Sequence, residues 1–234
     1  MINIKVIASS SAGNAYLVTD GKTSLLLECG IRFADLRQAL DFKMSAVDGC
    51  LVTHEHGDHA KSVKDVMKAG VECYTSAGTA EALRLSGHRL NIIEAGKQIN
   101  IGTWSIMPFD TVHDSKEPLG FLLASGGEKV LFATDTAYIK YRFKGLTHIM
   151  LECNYHMDIA KERVARGEMA RPVKRRLIRS HMNLDNVLAF LAANDLSRVR
   201  GIWLLHLSDG NSDEQMFIDR VQKATGLPVY VCAV

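Results

Sequence analysis

The sequence predicts an α/β chain folded as a four-layer αββα sandwich, two mixed β-sheets flanked by helices. Three observations carry this expectation. The chain opens as a β-meander that passes into a β-α-β-α rhythm, and a second block of short strands is again followed by helices. The most polar cluster stands at the carboxyl end of an apolar strand, where α/β sheets gather their ligands.

The elements justify this in order. Ile2 to Ile7 and Ala15 to Glu28 read as strands, the second split by Asp20-Gly21, a two-residue hairpin signal between apolar runs. Ser9-Ser10-Ser11-Ala12-Gly13-Asn14 reads as a turn of small residues. Phe33 to Leu40 is expected helical and Gly49 to Val52 a buried strand. Val63, Val66 and Met67 recur at helical spacing within Ala60 to Ala69. Strand Val71 to Tyr74 and helix Thr79 to Leu85 follow. After Gly87 come short strands at Ile92-Ile93, Gln98 to Ile101, Trp104 to Phe109, Gly120 to Ala124 and Lys129 to Ala133, with Gly126-Gly127 as another hairpin turn. Thr147 to Cys153 is an apolar run, Asn183 to Asn194 and Asp213 to Thr225 are amphipathic helices, and Gly201 to Leu205 and Pro228 to Cys232 are strands. No linker or repeat interrupts the 234 residues, so one domain over 1–234 is expected.

Composition narrows the function classes. With 23% charged residues and a formal net charge of +2, the chain is neither a polybasic coat nor an acidic tail, so any affinity for nucleic acid has to be local. Cys29, Cys50, Cys73, Cys153 and Cys232 are odd in number, widely spaced and free of any C-x-x-C pair, which reads as reduced core thiols in a cytoplasmic protein. The amino end starts in a strand-like alternation without a basic and apolar leader, and no run approaches the roughly 18 apolar residues of a membrane span. A soluble, non-secreted protein without a membrane partner is the expectation.

Chemistry concentrates in His54-Glu55-His56-Gly57-Asp58-His59, three histidines and two carboxylates in six residues. Imidazole nitrogen with carboxylate oxygen is a ligand set for zinc, manganese or iron. A polar loop that happens to be rich in histidine is the bland alternative, weakened by the abrupt delivery of the cluster from Gly49-Cys50-Leu51-Val52. The zincin pattern H-E-x-x-H is absent, because Asp58 stands four residues after His54. In an extended segment residues two apart point the same way, so H-x-H-x-D-H can offer His54 and His56 to one metal and Asp58 and His59 to a second.

Two metals need further donors, expected at strand ends in the second half. His113 follows the strand Trp104 to Phe109 and can complete a set with His54 and His56. Asp135 directly follows Leu131-Phe132-Ala133-Thr134, and its two oxygens can bridge two cations. His206 follows Trp203-Leu204-Leu205 and can join Asp58 and His59. Alone, each is an ordinary turn former or a satisfied polar group; their repeated placement is what points to metal.

This order of motifs resembles that of the metallo-β-lactamase superfamily over essentially the whole chain. The resemblance implies one metal on His54, His56, His113 and Asp135 and another on Asp58, His59, Asp135 and His206. An aspartate at 135, where the antibiotic-hydrolysing members carry cysteine, fits the hydrolase and phosphodiesterase branches. About 70 residues between Asp135 and His206 leave no room for the inserted domain of the β-CASP nucleases. The strings Ser9 to Ala15, Thr111 to Phe121, Leu151-Glu152-Cys153-Asn154, Lys174 to Leu177 through Ser180 to Asn183, and His206-Leu207-Ser208 through Asn211 are similar to the YycJ/WalJ family. That similarity implies a phosphodiesterase of the 5′-to-3′ DNA exonuclease type, and the superfamily resemblance implies a homodimer. The sequence departs from the pattern at Glu28, where the superfamily carries aspartate, and around His181, whose neighbours Ser180 and Asn183 differ from the family's.

The implied site holds two divalent cations, Zn2+ or Mn2+ with iron also compatible, and a bridging hydroxide that attacks the phosphodiester. Asp58 is expected to orient that nucleophile as well as ligate, and His181 to hand a proton to the leaving oxygen. The stretch Lys161 to Arg179 carries eight basic residues against Glu162 and Glu168, and its Lys174, Arg175 and Arg176 are candidates to hold substrate phosphates, with a solvated loop as the alternative. Asn154, Ser208 and Asn211 are candidates for phosphate oxygens or for bonds behind the ligands. Tyr155, His156 and His148 read as structural or surface residues. The same site serves a cyclic-nucleotide phosphodiesterase, and a thioester or lactam hydrolase of the same fold is the alternative from another class; neither of the last two needs a basic patch.

Overall fold

Alternation at the amino end produces an antiparallel meander, β1 (Asn3–Ser10), β2 (Gly13–Thr19) and β3 (Ser24–Leu27). The chain is described here over residues 1–232 by a computed structural model. The turn expected over Ser9 to Asn14 is tighter than its small residues suggested, because Ser9 pairs with Asn14 and Ser10 with Gly13 in the β1–β2 ladder. A bulge between Val6 and Ala8 adjusts the register of that ladder.

The β2–β3 turn is fixed by Asp20. Its Oδ1 accepts the amides of Lys22 at 2.8 Å and Thr23 at 2.9 Å, while Gly21 takes a φ of +92°. Oδ2 accepts the hydroxyls of Ser125, at 2.5 Å, and Thr103. Burial pushes this carboxyl up, but the four donors outweigh it and hold Asp20 far below the usual carboxylate range. Its folded pKa thus lies under the unfolded value of about 3.9, so Asp20 contributes stability at neutral pH that is lost as the pH falls below about 4 toward the folded value. Asp20→Asn is expected to cost on the order of 1 kcal/mol at neutral pH. In thermal melts run from neutral pH down to about pH 3 the parent protein should lose more stability than the variant; equal losses would remove Asp20 as the cause.

Residue contacts gather in two units, one of residues 1–110 with 115–128 and one of residues 111–114 with 129 onward. In the first, α1 (Phe33–Ala39) and a 3-10 turn (Met44–Ala46) lead to β4 (Gly49–Leu51). The helix expected over Ala60 to Ala69 is two, α2 (Gly57–Ala60) and α3 (Val63–Lys68). They break where Ser62 turns its amide and hydroxyl onto the Cys29 carbonyl, at 3.0 and 2.8 Å. Then come β5 (Cys73–Thr75), α4 (Ala77–Leu83), β6 (Leu90–Ile92), β7 (Ile99–Ile101), β8 (Trp104–Asp110) and β9 (Leu119–Ser125).

The second unit carries the body of β10 (Glu128–Ala133), then β11 (His148–Glu152), α5 (Met157–Ala165), α6 (Arg171–Ser180), α7 (Leu184–Ala192), β12 (Gly201–Leu205), α8 (Glu214–Thr225) and β13 (Val229–Val231). Polar caps start the last two helices: Asn183 accepts from the Asn186 amide and Asp213 from the Met216 amide. Two helices, α5 and α6, carry the basic stretch, for which the sequence offered a solvated loop as the alternative to a phosphate-holding patch; Pro172 in the first turn of α6 needs no amide partner there.

Two mixed sheets with flanking helices result, as expected. Their strand orders are β1-β2-β3-β4-β5-β6 and β13-β12-β11-β10-β9-β8-β7. In the first sheet β1 to β3 are antiparallel and β3 to β6 parallel; in the second, β7 to β9 are antiparallel and β10 to β13 parallel. The carboxyl ends of β4, β10, β11 and β12 open into Val52, Thr134, Cys153 and His206. Under the first sheet Leu26, Leu36, Cys50, Val52, Val63 and Val66 pack in one apolar cluster. All five cysteines are free and buried, which agrees with core thiols.

Candidate metal centre

Within the first unit, the loop after β4 converges on itself. His54 and His59 are buried, with ring centroids 4.3 Å apart. His54 Nε2 lies 3.0 Å from His56 Nδ1, and the other His54 nitrogen is 2.9 Å from the Thr53 hydroxyl. Asp58 Oδ2 lies 3.3 Å from His59 Nε2. His54 and His56 thus lie close together, as do Asp58 and His59.

Neighbouring strands hold that loop in shape. Glu28 follows β3, takes a φ of +64°, and is fully buried. Its Oε1 accepts the Thr53 amide at 3.2 Å and its Oε2 lies 3.7 Å from His59 Nδ1. Burial pushes this carboxyl up against the opposing pull of His59 and Thr53. The longer acid at 28 therefore still reaches the histidine that an aspartate would serve. Asn14 donates to the Asp58 carbonyl at 3.2 Å and lies 3.3 Å from His59 Nε2. A side chain at Gly30 would stand 1.7 Å from the Asp58 carbonyl, so the backbone passes there only because residue 30 is glycine.

A second cluster forms within the other unit. Asp135 follows β10 after Thr134, at a φ of +45°, and His206 directly follows β12 at +54°. His206 Nδ1 is 2.9 Å from Asp135 Oδ1, and His113 Nε2 is 3.5 Å from Asp135 Oδ2. Asp135 also accepts the Thr134 hydroxyl at 2.9 Å, and the other His113 nitrogen lies 2.8 Å from the Ser180 carbonyl. Burial lowers the pKa of His113 despite Asp135 beside it.

Glu152 is the residue that sequence reasoning did not single out. It ends β11 with no exposed surface and accepts the amides of Thr136 at 2.9 Å and Met182 at 3.0 Å. Its Oε1 is 2.6 Å from His181 Nδ1 and 3.2 Å from His206 Nδ1. Burial opposes both ionised forms, yet the pairing wins: Glu152 is held below and His181 above their ordinary values. An acid directly after the apolar run Ile149-Met150-Leu151 was the available signal. Asp135, Glu152, His181 and His206 each offer a donor atom, all within 4.8 Å of one another. Imidazole and carboxylate donors, gathered in both units without a thiolate, suit a hard or borderline divalent cation.

The remaining candidates fall into two groups. Asn154 is buried and donates to the His206 carbonyl at 2.7 Å, which places it behind His206. Asn211 donates to the Ser208 hydroxyl at 2.8 Å and accepts from Arg163 at 3.3 Å, so these two stabilise the loop after His206. Arg175, Arg176 and Arg179 instead line, with Asp114, Pro172 and Ser180, a pocket of about 490 Å³. Arg176 Nε donates to Asp114 Oδ2 at 2.7 Å, and Asp114 Oδ1 lies 3.5 Å from His113 Nε2. Lys174 stands on the same helix, half-buried. His148 is buried, its Nδ1 2.9 Å from the Thr147 hydroxyl and its ring against Trp203, in keeping with a structural role.

Comparisons agree with this layout. The profile of the beta-lactamase superfamily domain matches residues 23–206. The chain is 28% identical to the exodeoxyribonuclease YycJ of Bacillus anthracis, over 97% of this chain and 92% of that protein. It is 25% identical to the exodeoxyribonuclease WalJ of Streptococcus pneumoniae, over 90% of this chain and 83% of that protein. Among solved structures, the metallo-β-lactamase fold protein YhfI from Bacillus subtilis superposes with a TM-score of 0.76 at 16% identity, covering 98% of this chain and 95% of that one. Zinc-bound PqqB from Methylobacterium extorquens superposes with a TM-score of 0.73 at 12% identity, covering 100% and 98%.

Proposed function

The chain belongs to the beta-lactamase superfamily, and from that premise we propose that it is a dinuclear metal-dependent phosphodiesterase that removes nucleotides from a DNA end in the 5′-to-3′ direction. The observation that carries the substrate is the arginine-lined pocket of α6 at Asp114, one residue from His113. Thioesters and lactams have no phosphate for three guanidiniums to meet. The names of the two bacterial exodeoxyribonucleases support the same reading.

In this reading the family resemblance implies that His54, His56, His113 and Asp135 would hold one cation and Asp58, His59, Asp135 and His206 the other, and zinc or manganese would suit these donors. Two such cations supply Lewis acidity for hydrolysis of a phosphodiester. The chain's own residues do the rest. Asp58 orients the attacking water, and Glu28 and Asn14 keep the loop carrying it in place. His181, its ring fixed by Glu152, hands a proton to the leaving oxygen. Arg175, Arg176 and Arg179 neutralise phosphate charge as the strand is drawn in. Among the described residues no helix is long and apolar enough to cross a membrane.

A panel of end-labelled single- and double-stranded DNA, RNA, a cyclic nucleotide and a thioester, run with zinc and with manganese, tests the proposal. DNA shortened from the 5′ end is the expected result; turnover of the thioester alone would overturn it, and turnover of the cyclic nucleotide alone would move the substrate to small diesters. Alanine at Arg175 or Arg179 should weaken DNA binding at every sequence and flatten the dependence of log K on log salt by about 0.7 for each phosphate of a single strand that the variant no longer neutralises. An unchanged salt slope would free the pocket of that role.

A further inference from the structure

The loop between β10 and β11 is exposed at its middle and pinned at its ends. Residues Val130 to Ala137 are buried, and then Tyr138 emerges with 51% of its surface exposed. The Ala137 amide donates to the Val112 carbonyl at 2.8 Å, and the Ala137 carbonyl accepts from Asn186 at 3.0 Å. Thr136 donates its hydroxyl to the Tyr138 carbonyl at 2.8 Å, and the Phe143 amide donates to Asn194 at 2.7 Å. Between these ties the sequence is Tyr138-Ile139-Lys140-Tyr141-Arg142, aromatic residues interleaved with cations.

These side chains line a recess of about 300 Å³ whose other wall is Asn186, Ala189, Phe190, Ala193 and Asn194 of α7 and its end. The Lys140 ammonium lies 5.2 Å from the Tyr141 ring centre. The Tyr141 ring is 6.4 Å from that of Phe143, which is 6.3 Å from Phe190. A row of rings thus runs from Phe190 of α7 through Phe143 to half-buried Tyr141, with the Lys140 cation beside its end, and exposed Tyr138 lines the same recess. The charge continues along one short segment: Val112 anchors this loop, and Asp114, two residues on, pairs with Arg176 of the α6 pocket.

We propose that Tyr138 and Tyr141 form a stacking platform for an unpaired base of single-stranded DNA, whose flanking phosphates Lys140 and Arg142 neutralise. This rests on the phosphodiesterase reading above and names the form of its substrate. Every base has a π-face, so a tyrosine platform takes any sequence. The loop is held before the strand arrives, so little ordering is needed on binding.

The test uses nuclease-resistant phosphorothioate single strands with 2-aminopurine at one of the first four positions from the 5′ end, and matching strands abasic at that position. Wild-type protein should quench the fluorescence of at least one position on binding and bind the matching abasic strand more weakly. Tyr138→Ala should weaken the intact strand about 5- to 30-fold and lose the quench, while Tyr138→Phe restores both. If no position is quenched, or the wild type binds abasic and intact strands equally, the platform is excluded without recourse to any variant. Cleavage of end-labelled DNA without quenching would overturn this inference alone. Quenching without cleavage of any phosphodiester would overturn the function proposed above and leave the base platform standing.

Discussion

Asp135→Ala is expected to lower turnover by at least on the order of 10³-fold and to reduce bound metal per chain, with the fold retained. The carboxylate stands between His113 and His206, 3.5 Å from one ring and 2.9 Å from the other, with 3% of its surface exposed. Each of its two oxygens faces an imidazole, so in the proposed reading this residue would contribute to the holding of metal. Asn at this position keeps the shape and one oxygen but loses the charge, so it should retain part of the metal and little of the rate. Elemental analysis of the purified chain and hydrolysis of the DNA panel read the two effects separately. Full activity with a full complement of metal in the alanine variant would end the dinuclear assignment.

Glu152→Ala is expected to destabilise the protein by about 3–5 kcal/mol, a cost typical of breaking a buried charged network by deleting one partner. Two backbone amides, Thr136 and Met182, would lose their acceptor, and His181 and His206 would lose the carboxylate that faces them. Water does not reach the place, since Glu152 has no exposed surface. For a chain of this length the loss corresponds to roughly 6–20 °C in melting temperature. Glu152→Gln, which can still accept one of the amides, should lose less. A melting temperature of the alanine variant within about 2 °C of the parent would show that other groups satisfy those amides.

Much of the candidate site could be read before any coordinates, for a physical reason. Asp135 and His206 are polar residues set just after apolar strands of the parallel part of the second sheet, and parallel strands bring such ends to one edge whatever the intervening chain does, while His113 follows β8 in the antiparallel part. Glu152 obeyed the same rule, at the end of Thr147 to Leu151, yet its meaning depends on four partners 16 to 54 residues away along the chain. Asn154 shows the converse: its type left open a phosphate oxygen or a bond behind the site residues, and the fold turns its amide onto the His206 carbonyl. The helices α5 and α6 were not legible because the basic residues of 161–179 obscure the few apolar positions, Ala160, Val164, Met169 and Leu177, that pack with Tyr155. The strands and the amphipathic α1, α7 and α8 were legible because their own pattern carries them.

Glu28, Asp135 and His206 all adopt left-handed backbone at the point where a strand delivers its side chain. For a residue with a Cβ that conformation costs on the order of 1–2 kcal/mol, which glycine would not incur. Glycine would relieve that strain, but it would also strip the Thr53 amide, the Thr134 hydroxyl and the His113 ring of the buried groups they face, which costs more than the strain returns. Backbone strain and buried pairing are thus coupled at these three positions, and a substitution that relieves the first gives up the second.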